Sequence, residues 1–366
     1  MKEIELKMQG KIKRLSNQTF KFDERIKEGW FSAVYFLKTR EIINAKIPDN
    51  TVTMQFFQKE HAVLCGTDEV IALVKTFADN PDGLEIYSLK DGDKVRPFET
   101  VMTITGPYQD FGYLEGVIDG ILSRRTSVAT NVYNVVKAAG LSGVQKPVIF
   151  MGDRDDHYTQ QAGDGYAAYI GGSQAQATHA MSEWWGKEGM GTMPHALIQM
   201  FDGDIVATAK AYYEIYPEDD LIVLVDYNND CITDALKAAR EFGSELKGVR
   251  VDTSRTMIDQ YFVRHPEVLG TFDPRGVNAQ LIFALREALD NEGFQHVKIV
   301  VSGGFNEQRI HEFEEQNVPV DIYGVGSSLL KIKIGFTGDN VMLNGKLQAK
   351  AGRKYRPNPR LEKASD

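Results

Sequence analysis

From about residue 113 onward, short apolar runs alternate with stretches of helical spacing. That rhythm constrains the fold more than any other feature. KPVIFMGD, DLIVLVDYNND, GVRVDTS, HVKIVVSGG and VPVDIYGVG read as strands. RRTSVATNVYNVVKAAG precedes the first of them and reads as a helix that closes on Gly140. QQAGDGYAAYIGG, CITDALKAAREFG, RGVNAQLIFALREALDNEG and NEQRIHEFEEQN read as the helices between strands, with Gly293 as a stop and Asn306 as an N-cap. Strands that alternate with helices of about 10–15 residues build βαβ units and hence a parallel sheet. The strand runs are nearly continuous in apolar residues, which suits strands buried on both faces. Roughly five or six such units favour closure into a βα barrel over an open sheet.

The first 110 or so residues follow a different rhythm. NTVTMQFFQKEHAVLCG is rich in β-branched and aromatic residues, and YSLKDGDKVRPFETVMTITGPY alternates around the turn Asp91-Gly92-Asp93. DEVIALVKTFA between them has helical spacing. This part reads as an α+β layer with an antiparallel sheet. The chain of 366 residues has a net charge of −9, which disfavours nonspecific nucleic-acid binding. Cys65 and Cys231 stand far apart and give neither a disulfide framework nor a CxxC metal pair, so a reducing, cytoplasmic setting is expected. MKEIELKMQGKIKRL has no apolar h-region and no run reaches membrane-span length, so neither a signal peptide nor a membrane association is expected.

In a βα barrel the chemistry lies at the carboxyl ends of the strands. The residues there are Asp153, Arg154 and His157 after VIFMG, Asp226 after LIVLV, and Asp252 and Arg255 after GVRV. Ser302, Gly303 and Gly304 follow KIVV, and Gly324, Gly326 and Ser327 fall in the ending after VDIY. Polar and glycine residues thus recur at the same point of each unit. Glycine lets backbone N–H groups approach a phosphate closely, and paired loops after the last two barrel strands are a recurrent phosphate site. The plain alternative is that these glycines only make tight turns. Asp226 and Asp252 suit a hydrated Mg²⁺ that also uses substrate phosphates, or else cap helices. Arg124, Arg154 and Arg255 suit anionic substrate groups. One further stretch, GTMPHALIQM, sets a titratable His195 just after Pro194 at a helix start.

Taken together, SRRTSVATN, FMGDRDDHYTQQAGDGYAAYIGG, GTMPHALIQMF, VLVDYNND, VRVDTSR, IVVSGGFNE and DIYGVGSS resemble the nicotinate phosphoribosyltransferase family, which is related to the quinolinate and nicotinamide phosphoribosyltransferases. The resemblance spans roughly residues 22–335. It implies an α/β fold with an N-terminal α/β sandwich domain over 1–112 and an irregular, TIM-like βα barrel over 113–335. Residues 336–366 are expected to pack on the N-terminal domain and end in a loose basic tail.

The implied reaction joins nicotinate to phosphoribosyl pyrophosphate and releases nicotinate mononucleotide and pyrophosphate, as in NAD biosynthesis. It implies coupling to ATP hydrolysis through a phosphohistidine, with Mg²⁺ present and two subunits sharing their active sites. His195 matches the family's GTxxH histidine. Ser302, Gly303, Gly304, Gly324, Gly326 and Ser327 match the cradle for the 5′-phosphate, and Arg154 with His157 the polar pair near the pyrophosphate. Arg124 and Thr126 match the stretch that binds the pyridine carboxylate from the partner chain, with Arg255 as a second candidate. Tyr35 matches an aromatic that stacks on the pyridine, and Asp226 and Asp252 face ribose and Mg²⁺. The C-terminal region holds no cysteine, so the zinc knuckle of some shorter members, and with it structural zinc, is not expected. Nicotinamide or quinolinate as substrate, and a noncatalytic nucleotide-binding regulator, are the competing readings.

Overall fold

The computed structural model describes residues 12–270 and 272–364. In chain order its strands are β1 (Thr51–Phe57), β2 (Ala62–Val63), β3 (Glu85–Ser88), β4 (Lys94–Val95), β5 (Met102–Pro107), β6 (Val148–Phe150), β7 (Ala175–Gln176), β8 (Leu221–Leu224), β9 (Leu246–Val251), β10 (Lys298–Val301), β11 (Ile322–Val325), β12 (Thr337–Leu343), β13 (Lys346–Leu347) and β14 (Glu362–Lys363). The chain divides into two compact units. One takes the chain up to Tyr133, Ala162–Gly172 and everything from Lys331; the other takes Asn134–Gln161 and Ser173–Leu330.

The first unit holds a six-stranded sheet in the order β13-β12-β1-β5-β3-β14. Its core strand β1 pairs antiparallel with β5, Val52 opposite Gly106 and Phe56 opposite Met102. Val52, Met54 and Phe56 alternate into the core beside Val70, Leu73, Val74 and Phe77 of the helix Thr67–Phe77. Residues 113–133 and 162–172, which the sequence groups with the barrel, pack in this unit instead. The reason is a buried ion network. Arg125 donates from Nε to Glu69 at 2.8 Å and from Nη1 to Asp164 at 3.0 Å, while Arg124 forks onto Asp164 at 2.9 and 2.7 Å. Two cations thus meet two carboxylates out of water, where each needs the other.

The C-terminal segment is not a loose tail. Gln55 is buried, and both ends of its amide bond the tail: Nε2 donates to the Lys354 carbonyl at 3.0 Å and Oε1 accepts from the Arg356 N–H at 3.0 Å. Thr100 donates to the Arg356 carbonyl at 2.6 Å, Arg360 pairs with Asp93 and Glu99, and β14 adds to β3. A buried amide has to be satisfied, and the tail backbone satisfies it.

The second unit is a parallel sheet in the order β7-β6-β11-β10-β9-β8. Each strand pairs with its neighbour in the sequence of a barrel, with β11 closing on β6. Among the described residues β7 and β8 do not pair, so the barrel is open at one seam. The expected helices run between the strands: Cys231–Phe242, Ala279–Asn291 and Glu307–Glu315. Asn306 caps the last of these, its Oδ1 accepting from the Arg309 N–H at 2.9 Å. At the other end of the strands the buried Glu314 accepts from Tyr323, Lys146 and Ser142 at 2.5, 2.6 and 2.6 Å. No helix among the described residues is long and apolar enough to cross a membrane.

Two predictions concern the first unit. A Cβ on Gly163 would lie 1.9 Å from Arg125 Cζ, so Gly163→Ala displaces the guanidinium and leaves Glu69 and Asp164 underpaired. The loss should be about 3–5 kcal/mol in chemical denaturation, and an unchanged midpoint would refute the network's role. The second concerns Glu115 and Asp119, pushed up to about 7, first by burial and then by neighbouring carboxylates, including Asp339. Between the unfolded values and about 7 the folded state holds protons that the unfolded chain has released, so stability falls as pH rises through that window. Glu115→Gln with Asp119→Asn should flatten that slope and raise the melting temperature at about pH 8.

Candidate active site

The parallel register delivers all the strand endings to one edge of the second unit. There they line a cavity of about 500 Å³ that includes Arg154, His195, Arg250, Asp252, Ser302, Gly303, Gly304, Phe305, Gly324, Gly326 and Ser327. Backbone bonds extend the ladders into it: the Met151 N–H donates to Val325 at 2.8 Å, Val225 to Arg250 at 3.1 Å, and Ser302 to Val251 at 3.0 Å. The Ser302 hydroxyl donates to Asp252 Oδ1 at 2.8 Å and ties the β9 and β10 endings together.

The two glycine turns are built by close approach. Gly303 and Gly304 hold φ of 87° and 75°, the left-handed region that side chains rarely adopt. A Cβ on Gly324 would stand 2.7 Å from Met151 Sδ, and one on Gly326 would stand 2.8 Å from the Met151 carbonyl. Among the described residues the N–H groups of Gly303, Gly304 and Phe305 donate to no protein acceptor. Undonated backbone N–H groups on a cavity wall are a ready cradle for an anion.

His195 begins the helix His195–Met200, and its Nε2 stands 3.2 Å from Asp226 Oδ1. The imidazole is 46% exposed while the Asp226 side chain is 5% exposed. Burial pushes the Asp226 carboxyl up, and His195 opposes that rise. Asp226 meets the cavity through His195, whereas Asp252 lines it directly. Among the described residues no group of three or more His, Cys, Asp or Glu could hold a metal ion unaided. Asp252 and Asp226 therefore fit a hydrated Mg²⁺ only if substrate phosphates complete its shell.

Sequence reasoning missed Arg250. It alternates with the fully buried Val249 and Val251 along β9 and so points into the barrel. Nη1 reaches Thr192 Oγ1 and Nη2 the Met193 carbonyl, each at 3.3 Å, and Nε is buried with no hydrogen-bond partner among the described residues. Burial pushes its pKa down, while Asp252 and Asp226 support the charge. The signal in the sequence was one arginine inside an apolar strand, just before that strand's polar ending.

Other expected site residues stand elsewhere. Arg255 does not line this cavity; its guanidinium donates to the Gly304 carbonyl. His157 instead starts the turn Tyr158–Gln160, its Nδ1 2.8 Å from Thr159 Oγ1. Thr126, Arg124 and Tyr35 belong to the first unit. Thr126 is fully buried; its hydroxyl donates to the Cys65 carbonyl at 3.0 Å and accepts from the Cys65 N–H at 3.1 Å, so it has no capacity left for a substrate carboxylate. Arg124 carries Asp164 on its fork. Tyr35 is 64% exposed on the helix Val34–Lys46, near Trp30, Val34 and Ile42 in sequence, which are exposed as well.

Residues 33–126 match the family model for the N-terminal domain of quinolinate phosphoribosyl transferase. Nicotinate phosphoribosyltransferase of Bacillus subtilis is 27% identical over 252 residues, covering 67% of this chain and 45% of that protein. One from Mycobacterium tuberculosis is 28% identical, covering 67% and 50%. The matched stretch spans about half the length of these relatives. The crystal structure of nicotinate-nucleotide pyrophosphorylase from Pyrococcus furiosus is 31% identical with a TM-score of 0.77, covering 94% of this chain and 82% of that one. Human nicotinic acid phosphoribosyltransferase, 15% identical with a TM-score of 0.64 over 88% of this chain and 77% of its own, shares the fold.

The approach of the two glycine-bearing endings is directly testable. Gly326→Ala has to push Met151 back, at about 1–3 kcal/mol. A thermal melt should show the loss, and an unchanged melting temperature would mean that the endings are not packed this closely.

Proposed function

The chain belongs to the type II phosphoribosyltransferases, the family of the nicotinate and quinolinate enzymes, and from that premise we propose that it transfers a phosphoribosyl group to nicotinate. The observation that carries the substrate assignment is Arg250, a half-buried guanidinium on the cavity wall whose charge is supported by Asp252 and Asp226. A planar fork of this kind suits one carboxylate. Nicotinate has one, quinolinate two and nicotinamide none. Only Arg154 and Arg250 are Arg or Lys among the described residues lining the cavity, which is sparse for a dicarboxylate together with a pyrophosphate.

The substrate phosphate sits in the cradle of Ser302 to Phe305 and Gly326 to Ser327. Held there, the ribose presents C1 to the pyridine nitrogen, whose lone pair forms the new C–N bond as the C1–O bond to pyrophosphate breaks. That nitrogen is unprotonated at neutral pH, so no general base is needed. Positioning supplies much of the rate, on the order of 7–11 kcal/mol for well-oriented partners. Asp252 lies on the cavity wall, where it stabilises the positive charge that grows on the ribose. Arg154 faces the charge that gathers on the leaving pyrophosphate. Mg²⁺ bound through Asp252 and Asp226 would add charge neutralisation at the pyrophosphate.

ATP coupling through His195 belongs to the same reading. With Nε2–H donated to Asp226, the lone pair of the ring stays on Nδ1, which has no partner among the described residues. That nitrogen is then the phosphoryl acceptor: it forms the N–P bond while the bond from the γ-phosphorus to the bridging oxygen breaks and ADP leaves. The exposed aromatic and aliphatic surface around Tyr35 supports assembly with a second copy of the chain.

A product assay tests these assignments, offering nicotinate, nicotinamide or quinolinate with phosphoribosyl pyrophosphate and Mg²⁺, with and without ATP. Nicotinate should be the productive substrate, ATP should stimulate its turnover, and His195→Ala should abolish that stimulation. Arg250→Ala should raise the KM for nicotinate by about 10–100-fold, the worth of a charge-assisted hydrogen-bond pair. Turnover with nicotinamide or quinolinate instead would overturn the substrate assignment, and no turnover with any pyridine would favour a noncatalytic nucleotide-binding role.

A further inference from the structure

The double-glycine turn is held by its carbonyls. Arg309 Nη1 donates to the Gly303 carbonyl at 2.9 Å, and its Nη2 donates to the Val277 carbonyl. Arg255 Nη2 donates to the Gly304 carbonyl. In a trans peptide the carbonyl and the following N–H point in opposite directions. Anchoring the Gly303 carbonyl therefore turns the Gly304 N–H the other way, and anchoring the Gly304 carbonyl turns the Phe305 N–H likewise. Both N–H groups, like that of Gly303, donate to no protein acceptor among the described residues.

The cavities on either side of the turn agree with this orientation. Gly303, Gly304 and Phe305 line the central cavity, and neither Arg255 nor Arg309 does. Both arginines line a second cavity of about 590 Å³, together with Asn278 and Asn306. Arg309 is the better fixed of the two. Its guanidinium lies 4.2 Å from the Phe305 ring centre and bridges two carbonyls, and Arg309 is itself part of the helix that Asn306 caps. Burial, helped by Arg255, brings its pKa down to about 10, so it stays charged at neutral pH.

We infer that Arg309 is a positioning residue for phosphate recognition: from outside the substrate cavity it locks the Gly303 peptide so that the Gly304 N–H is presented to the substrate phosphate. This rests on the reading of the turn as a phosphate cradle. Arg309 acts through backbone geometry, and the phosphate does not touch it. A lysine keeps the charge but lacks the planar fork that bridges the Gly303 and Val277 carbonyls.

The test titrates the full chain with ribose 5-phosphate by calorimetry, as wild type, Arg309→Lys and Arg309→Met, each checked by thermal melting. Wild type should bind, and both variants should bind at least about tenfold more weakly, the equivalent of one charge-assisted hydrogen bond. In turnover the KM for phosphoribosyl pyrophosphate should rise by the same factor while the KM for nicotinate stays at its wild-type value. Full affinity in Arg309→Lys with loss in Arg309→Met would show that charge alone matters and overturn the positioning role. Full affinity in both would overturn it as well. If Arg309→Met does not fold, the lysine variant decides. Absence of ribose 5-phosphate binding by the wild type would instead refute the phosphate cradle, and the inference with it.

Discussion

The parallel ladder of the second unit is the constraint on which the site depends. Six strands in the order β7-β6-β11-β10-β9-β8 run the same way, so all their carboxyl ends emerge at one edge. Residues more than 170 positions apart in the chain, Met151 and Gly326, come within van der Waals reach because β6 and β11 are neighbours. The ladder also sets what the endings must be. Where backbones crowd, only glycine fits, and where a strand leaves the apolar interior its polar groups meet the cavity. A single register slip would turn Arg250 away from the interior and place valines there.

Charge inside the barrel is kept in balance. Arg250 sits where burial works against its charge, and Asp226 and Asp252 work for it. Asp226 in turn is raised by burial and restrained by His195. The groups are coupled, so none has a fixed role apart from the others.

The first unit uses the same physics for a different end. Arg125 threads past Gly163 to reach Asp164 and Glu69, and the glycine exists for that passage. Gln55 is buried, and both ends of its amide bond the C-terminal segment. Polar groups out of water thus hold distant parts of the chain in the same unit, and they explain why its boundaries ignore sequence order.

Local features were legible from residue types. The strands of the barrel, the N-cap at Asn306, the glycine turn at Gly303 and Gly304 and the polar residues at each strand end follow from periodicity, capping and backbone freedom, which act over a few residues. The partners of buried polar groups were not legible. That Thr126 spends its hydroxyl on Cys65, that Arg255 clasps the Gly304 carbonyl from outside the cavity, and that Arg250 points inward while Arg309 bridges Gly303 and Val277 depend on contacts between segments far apart in sequence. The sequence by itself determined the alternating elements and the chemistry available at their ends. Only tertiary structure decided which of those groups face the cavity, because a side chain's direction is set by strand register and by the distant acceptor that satisfies it.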